Sequence, residues 1–256
     1  MPDGRRGGVL RFTSCQAGCA DSFVQMVATE VGAHLRRRVA FVGDMPWRER
    51  ERLFNAGRID VAWICGLPYV WRADQEDPPI ELLCAPVMAA GRYGGRPIYF
   101  SDIVVAAEAP FRSFADLRDA SFAYNEPHSH SGHNIVQAHL ADRGETAGFF
   151  GRVVESGAHA TSLRWIAEGR IDASAIDSTV LEHLAAQDPV LAGRLRVIAT
   201  LGPSTIPPWV VRKALPASSR TALREALLTL HERPGGRAIL ERAGMTRFVP
   251  ITDDAY

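Results

Sequence analysis

Short runs of β-branched and other apolar residues alternate along nearly the whole chain with stretches in which apolar positions recur every three to four residues. This alternation predicts an α/β protein with largely parallel strands, because a parallel neighbour can be reached only through a crossover helix. In the opening unit, Leu10 to Ser14 reads as a strand. Phe23, Val27, Val31 and Leu35 then fall every four residues and predict a helix whose apolar stripe covers a sheet. Arg38 to Val42 reads as the next strand. Trp47 to Ala56 reads as a second helix closed by Gly57, a residue that accepts the left-handed C-terminal conformation without a Cβ clash.

The chain then echoes itself. Asn55-Ala56-Gly57-Arg58-Ile59-Asp60, ahead of the apolar run Val61 to Cys65, reappears as Ala167-Glu168-Gly169-Arg170-Ile171-Asp172 ahead of Ala173 to Ile176. In each copy a helix ends on Gly, turns through Arg-Ile-Asp and feeds a buried strand. Two similar halves are implied, and the spacing is too wide for a solenoid. The junctions are expected in the Gly-rich stretch Ala90 to Ile98 and in Gly202 to Pro208, which holds three prolines. This gives a first lobe over residues 9–98, a second over 99–200, and a return to the first over 201–256. Leu223, Leu227 and Leu230 form a late helix in the returning segment. Two crossings of this kind make a double hinge.

Lys plus Arg and Asp plus Glu number 29 each, so there is no sequence-wide positive field to hold a nucleic acid, and none is expected as a partner. The longest apolar runs, such as Ile103 to Ala107, fall far short of the ~20 residues of a spanning helix. Met1 to Gly8 is short and polar, and a strand-like run follows where a signal peptide would need an apolar segment. The protein is expected to be periplasmic if a signal lies upstream or has been removed, and cytoplasmic otherwise. Cys15, Cys19, Cys65 and Cys84 lack zinc or redox spacing, so buried free thiols are expected and no metal or cofactor. Cys15 and Cys19 could pair if the protein is exported.

Ser129-His130-Ser131-Gly132 follows the strand Ser121 to Tyr124 and a turn, and precedes a helical run from Asn134 to Leu140. Hydroxyls and free N–H groups at a helix N-terminus suit an anion, although a plain Ser cap reads the same way. His159 opens the helix before the second Gly-Arg-Ile-Asp turn. Asp177 and Ser178 end the strand after it, at the sheet edge where α/β proteins bind ligands, or serve only as a cap. Tyr69, in Gly66-Leu67-Pro68-Tyr69, and Trp47, after Gly43-Asp44-Met45-Pro46, are candidates to close over a ligand. Core packing is their alternative fate.

Taken in order and spacing, these pieces, with Tyr99-Phe100-Ser101, Asn125 to Gly132, Ser156 to His159 and Pro208 to Val211, resemble the PhnD-type phosphate, phosphite and phosphonate-binding family, the substrate-binding subunits of ABC importers. The likeness spans nearly the whole chain. It implies a type 2 periplasmic-binding-protein fold, two α/β lobes joined by a double-crossover hinge, that captures a small anionic ligand. It further implies an ABC transporter permease as a partner, a monomer, and no catalysis. By the same likeness Ser129, His130, Ser131 and His159 hold the anion's oxygens, Tyr99 and Trp47 contact the ligand, and Asp177 is a polar rim position. The chain has His130 where the family's turn usually carries Thr, Thr179 where aminophosphonate binders place Glu, and Trp47 where Tyr is usual. A cytoplasmic sensing or biosynthetic member of the same fold is the alternative. An enzyme would recruit Cys15 or Cys65 as nucleophile, His159 or His130 as base and Asp177 as orienter. No nucleophile elbow, P-loop or His-Glu-x-x-His run accompanies them.

Overall fold

The structure, a computed structural model, describes residues 8–145 and 147–256, so most of the polar opening segment lies outside the described residues. The chain forms β1 (Leu10–Ser14), α1 (Asp21–Leu35), β2 (Val39–Phe41), α2 (Trp47–Asn55), β3 (Val61–Trp63), α3 (Gly66–Ala73) and β4 (Ile80–Met88). It continues through β5 (Ile98–Ala106), β6 (Ser121–Tyr124), α4 (Ile135–Asp142), β7 (Arg152–Glu155), α5 (His159–Ala167), β8 (Ala173–Asp177), α6 (Ser178–Gln187), α7 (Pro189–Gly193) and β9 (Leu195–Thr205). It closes with β10 (Trp209–Arg212), α8 (Ala217–Leu228), α9 (Pro234–Arg242) and β11 (Met245–Val249). Two compact units result: one made of the chain up to Pro97 and from Thr205 onward, the other of Ile98–Ser204.

The first unit holds a six-stranded sheet in the order β11-β4-β10-β3-β1-β2. β1 pairs in parallel with β2 and β3, but β10 runs antiparallel to both β3 and β4, and β11 antiparallel to β4. The expectation of largely parallel strands is therefore corrected. β3, α3 and β4 form an ordinary crossover unit, but the returning strand β10 inserts between the two strands and opposes both. β10 is apolar on both faces, as a central strand requires: Trp209, Val210 and Val211 are fully buried. Trp209 stacks on Trp63 at 6.0 Å, and Phe23 and Phe248 meet it edge-on. From α1, Phe23, Val27 and Val31 are buried as the four-residue spacing requires, and Leu35 at the last turn is half-buried.

The second unit has a five-stranded sheet in the order β7-β6-β8-β5-β9. β6 is parallel to both β7 and β8, whereas β5, the strand that enters this unit, is antiparallel to β8. Its core gathers Ile103, Val105, Phe122, Val136, Leu140, Phe149 and Phe150.

The internal echo has a structural cause. In each copy the helix ends on a glycine of positive φ, Gly57 at 69° and Gly169 at 71°. The following arginine N–H then turns back to a carbonyl five residues earlier, Leu53 or Trp165. The aspartate latches the neighbouring strand: Asp60 accepts the Arg11 N–H at 2.9 Å, and Asp172 accepts the Ser121 N–H at 2.7 Å. The carboxylate thus supplies a partner for a backbone donor of the adjacent strand. A Cβ on Gly169 would meet nothing within 4 Å, and one on Gly57 only the Arg212 guanidinium at 3.9 Å. The cost of a side chain there is therefore conformational. Gly57→Ala and Gly169→Ala should each lower stability by about 1 kcal/mol. An unchanged urea midpoint in both variants would contradict this account.

Candidate anion-binding site

Three parallel strands of the second unit, β7, β6 and β8, end at the same sheet edge, and β5 starts there because it runs the other way. Their ends bring together Ser156 to His159 after β7, Asn125 to Asn134 after β6, Asp177 and Ser178 at the end of β8, and Tyr99 to Ser101 at the start of β5. The carboxyl ends of strands in α/β sheets are where ligands find free backbone groups and helix N-termini.

After β6 the chain makes a π-helical turn, His130–Asn134, that runs directly into α4. Ser129 is its cap. Its Oγ accepts the Gly132 N–H at 3.1 Å, and its carbonyl accepts from Asn134 N at 3.0 Å and Nδ2 at 2.8 Å. Its oxygen accepts, and no acceptor among the described residues takes its hydroxyl proton, which is left free to donate. Ser101 Oγ donates to the Ser131 carbonyl at 2.5 Å, which ties the turn to β5. Ser131 Oγ lies 3.4 Å from His159 Nε2. His130 Nε2 is paired with Ser204 Oγ at 2.8 Å, and its ring stands 6.3 Å from that of Tyr99. The extra imidazole in the turn therefore engages the end of the second unit.

Gly132 is the position that allows this packing. A Cβ there would fall 1.9 Å from Asn125 Oδ1 and 3.1 Å from His159 Cε1. Asn125 Oδ1 and His159 Nδ1 are enclosed without a hydrogen bond of normal geometry from the described residues. Buried polar atoms are seldom left so, and the Asn125 amide oxygen, an acceptor, calls for a donor rather than for an anion oxygen.

The donors of this edge are uncharged, and one carboxylate, Asp177, sits beside them. Burial pushes the His159 imidazole down to about 4, against a weaker opposite pull from the Ala175 backbone, so it is uncharged at pH 7. Burial also lowers His130. Asp177 is raised to about 6, first by burial. The donors from Thr179 and Val180 pull it down, and the charge of Asp102 adds to the rise.

Of the residues singled out from the sequence, Ser129, Ser131, His130, His159, Tyr99 and Asp177 share this edge of the second unit. Tyr69 does not line a rim, and that expectation is corrected. It is buried in the core of the first unit, its hydroxyl hydrogen-bonded to Asp253 and its ring edge-on to Tyr256 at 4.9 Å. The first turn of a helix pointed to a rim position, but the C-terminal segment that covers Tyr69 is nearly two hundred residues away in sequence. Trp47 opens α2 in the first unit, half-buried, with the Arg48 guanidinium 5.2 Å over its ring. Asp177 is the cap of α6: its Oδ1 accepts from Thr179 N at 2.8 Å, Thr179 Oγ1 at 2.7 Å and Val180 N at 3.4 Å. Sequence reading gave no role to Ser101, Asn125 or Ser204; all three sit in quoted or junction segments, but nothing local says which partner they meet. Among the thiols, Cys84 is buried, Cys15 and Cys65 are half-buried, and Cys19 is exposed, against the expectation that all are enclosed.

Two α/β units, the second inserted in the first so that the chain passes between them twice, with an edge of uncharged donors, define the type 2 periplasmic-binding class. Solved structures agree on the fold. A binding protein component of the ABC phosphonate transporter of Pseudomonas aeruginosa superposes with TM-score 0.83 at 18% identity, over 98% of this chain and 83% of that one. PhnD1 from Prochlorococcus marinus, in complex with methylphosphonate, gives 0.83 at 18% identity over 97% and 94%. In sequence, the phosphonates-binding periplasmic protein of Escherichia coli is 26% identical over 203 residues, 77% of this chain. The matched stretch is 57% of that relative's own length. The model of the family described as the phosphonate periplasmic substrate-binding protein of ABC transporters matches residues 20–256. The chain belongs to that family.

Proposed function

We propose that this chain captures a small oxyanion of the phosphonate, phosphate or phosphite class at the Ser129–His159 edge of its second unit and delivers it to an ABC importer's permease. The observation that carries the reading is the convergence of uncharged donors on one sheet edge. The hydroxyls of Ser129 and Ser131 and the first N–H groups of the π-helical turn can each donate to an anion oxygen without a fixed counter-charge, and neutral His159 joins them in the tautomer that carries its one proton on Nε2. A buried anion needs every oxygen paired, since an unmet acceptor there costs several kcal/mol. The names borne by the E. coli and P. marinus relatives, phosphonates-binding and methylphosphonate-bound, supply the ligand class. Tyr99 supplies an aromatic wall, and His130, engaged by Ser204, shapes the turn.

The protein acts as a binder, without turnover. Burial drives the Cys15 thiol up to about 12, and nearby Glu51 adds to the rise, so a thiolate nucleophile is disfavoured. Family membership supports the periplasm as its place of work, and a monomer would suffice, since the proposed donors all come from one unit.

Ser131→Ala is the cleanest test, because among the described residues the Ser131 hydroxyl has only the long contact to His159, and its carbonyl keeps the bond from Ser101. Affinity for methylphosphonate, phosphate or phosphite by titration calorimetry should fall about 10- to 100-fold, as for loss of one hydrogen bond to a charged group. Unchanged affinity with an unchanged melting temperature would remove the site from this edge.

A further inference from the structure

Asp177 is a carboxylate among donors, and an oxyanion site has no use for a second negative charge unless that charge does something. Its position is set by register. Asp177 lies directly opposite Ser101 in the antiparallel β5–β8 pair. Residues directly opposite one another in such a pair project to the same face of the sheet. Ser101 reaches the Ser131 carbonyl from that face, so the Asp177 side chain leaves β8 on the side where the serine turn lies. Its hydrogen bonds from Thr179 and Val180 all go to Oδ1, and Oδ2 accepts none from the described residues. The residue is 9% exposed. It is therefore a largely buried carboxylate with one oxygen spent on the helix and the other unspent and not sealed off from a ligand. Asp102 on β5 is the neighbouring charge, and it accepts from Thr200 Oγ1 at 2.8 Å.

We propose that Asp177 is the specificity-determining acceptor of this site, its Oδ2 receiving a hydrogen bond from a protonated oxygen of the ligand, so that the site takes an oxyanion that keeps a proton and rejects a fully ionised one of the same shape. Hydroxyls, N–H groups and neutral imidazole treat a phosphonate and a sulfonate alike, because both present three oxygens on a tetrahedral centre. A lone acceptor does not. A phosphonate or phosphate monoanion brings the proton that satisfies Oδ2, whereas a sulfonate or sulfate sets oxygen against oxygen. The rejection follows from a buried polar group left unpaired, the strongest form of discrimination a small site can offer. The inference rests on the anion-binding reading above and names which anions that site admits.

The test is calorimetry at pH 7 with methylphosphonate, phosphate, methanesulfonate and sulfate, on the wild type and on Asp177→Asn. Asparagine caps a helix as well as aspartate does, so α6 keeps its terminus. The substitution replaces the free acceptor with an amide donor. The wild type should prefer methylphosphonate over methanesulfonate by about 100-fold or more. In Asp177→Asn the ratio should drop below about tenfold, with methanesulfonate and sulfate gaining affinity in absolute terms. If the wild type binds phosphonate and the ratio is the same in Asp177→Asn, this inference fails and the anion site stands. Should Asp177→Asn melt well below the wild type, Asp177→Ser, which also caps, carries the same comparison. If neither protein binds any of the four anions, the anion reading itself fails and takes the inference with it.

Discussion

Gly132→Ala is expected to abolish anion binding and to destabilise the second unit. The added Cβ would sit 1.9 Å from Asn125 Oδ1, far inside contact, and 3.1 Å from the His159 ring. Neither neighbour has an easy retreat: Asn125 Oδ1 is enclosed, and His159 is buried. Overpacking of this kind costs about 1–3 kcal/mol, and it moves the N–H groups of the turn that would face the ligand. A displacement of 1 Å at such a turn is enough to break several hydrogen bonds at once. Binding of methylphosphonate should weaken at least about 100-fold. The double variant Gly132→Ala with Asn125→Ala makes room for the methyl group. It should recover most of the lost stability, giving a coupling of about 1 kcal/mol or more in a double-mutant cycle by urea denaturation. Additive costs would show that the clash is relieved elsewhere.

The second large effect is a pair of opposed proton linkages. Burial lowers His159 from an ordinary 6.5 to about 4, so between those values the unfolded chain binds a proton that the folded protein refuses. Stability from this group is full above pH 6.5 and falls by roughly 3 kcal/mol as the pH drops to 4. Asp177, raised from 3.8 to about 6 by burial and by Asp102, does the reverse. Here the folded state holds the extra proton, so stability is greatest below pH 3.8 and falls by roughly 3 kcal/mol as the pH rises through 6. The two windows nearly coincide and their slopes oppose, so together they leave the wild type almost indifferent to pH across this range. Removing one uncovers the other. Asp177→Asn should be more stable than the wild type at pH 7, an advantage that disappears by pH 4. His159→Gln should gain relative to the wild type as the pH falls over the same interval. Denaturant unfolding at pH 4 and pH 7 checks both, and parallel pH curves for all three proteins would show that these groups are not buried in the way the structure places them.

Several features were open to reading along the chain because they depend on near neighbours. The stripe of Phe23, Val27 and Val31 follows from helical geometry alone. The Gly-Arg-Ile-Asp turn needs one left-handed residue and one side-chain acceptor, and both are visible as letters. The serine turn and His159 announce themselves as polar residues at the start of helices, which is a statement about a few consecutive positions. Tyr69 shows where such reading stops. As a residue in the first turn of α3 it looked like a rim group, but Asp253 and Tyr256, which cover it, arrive from the other end of the chain. Asp177 was similarly ambiguous. Its capping of α6 could be foreseen from spacing, whereas its unspent Oδ2 and its place opposite Ser101 depend on strand register.

Local chemistry thus determined the α/β class, the paired halves, the polar turn at a helix start and the family likeness, because helix stripes, left-handed glycines and helix caps are settled within a turn or two of backbone. Tertiary structure alone decided that β10 would insert antiparallel between β3 and β4, that Tyr69 would be buried, that Gly132 must lack a side chain, and which serine faces which histidine. Those outcomes turn on contacts between residues distant in sequence, where a difference of one strand position moves a side chain to the opposite face of the sheet.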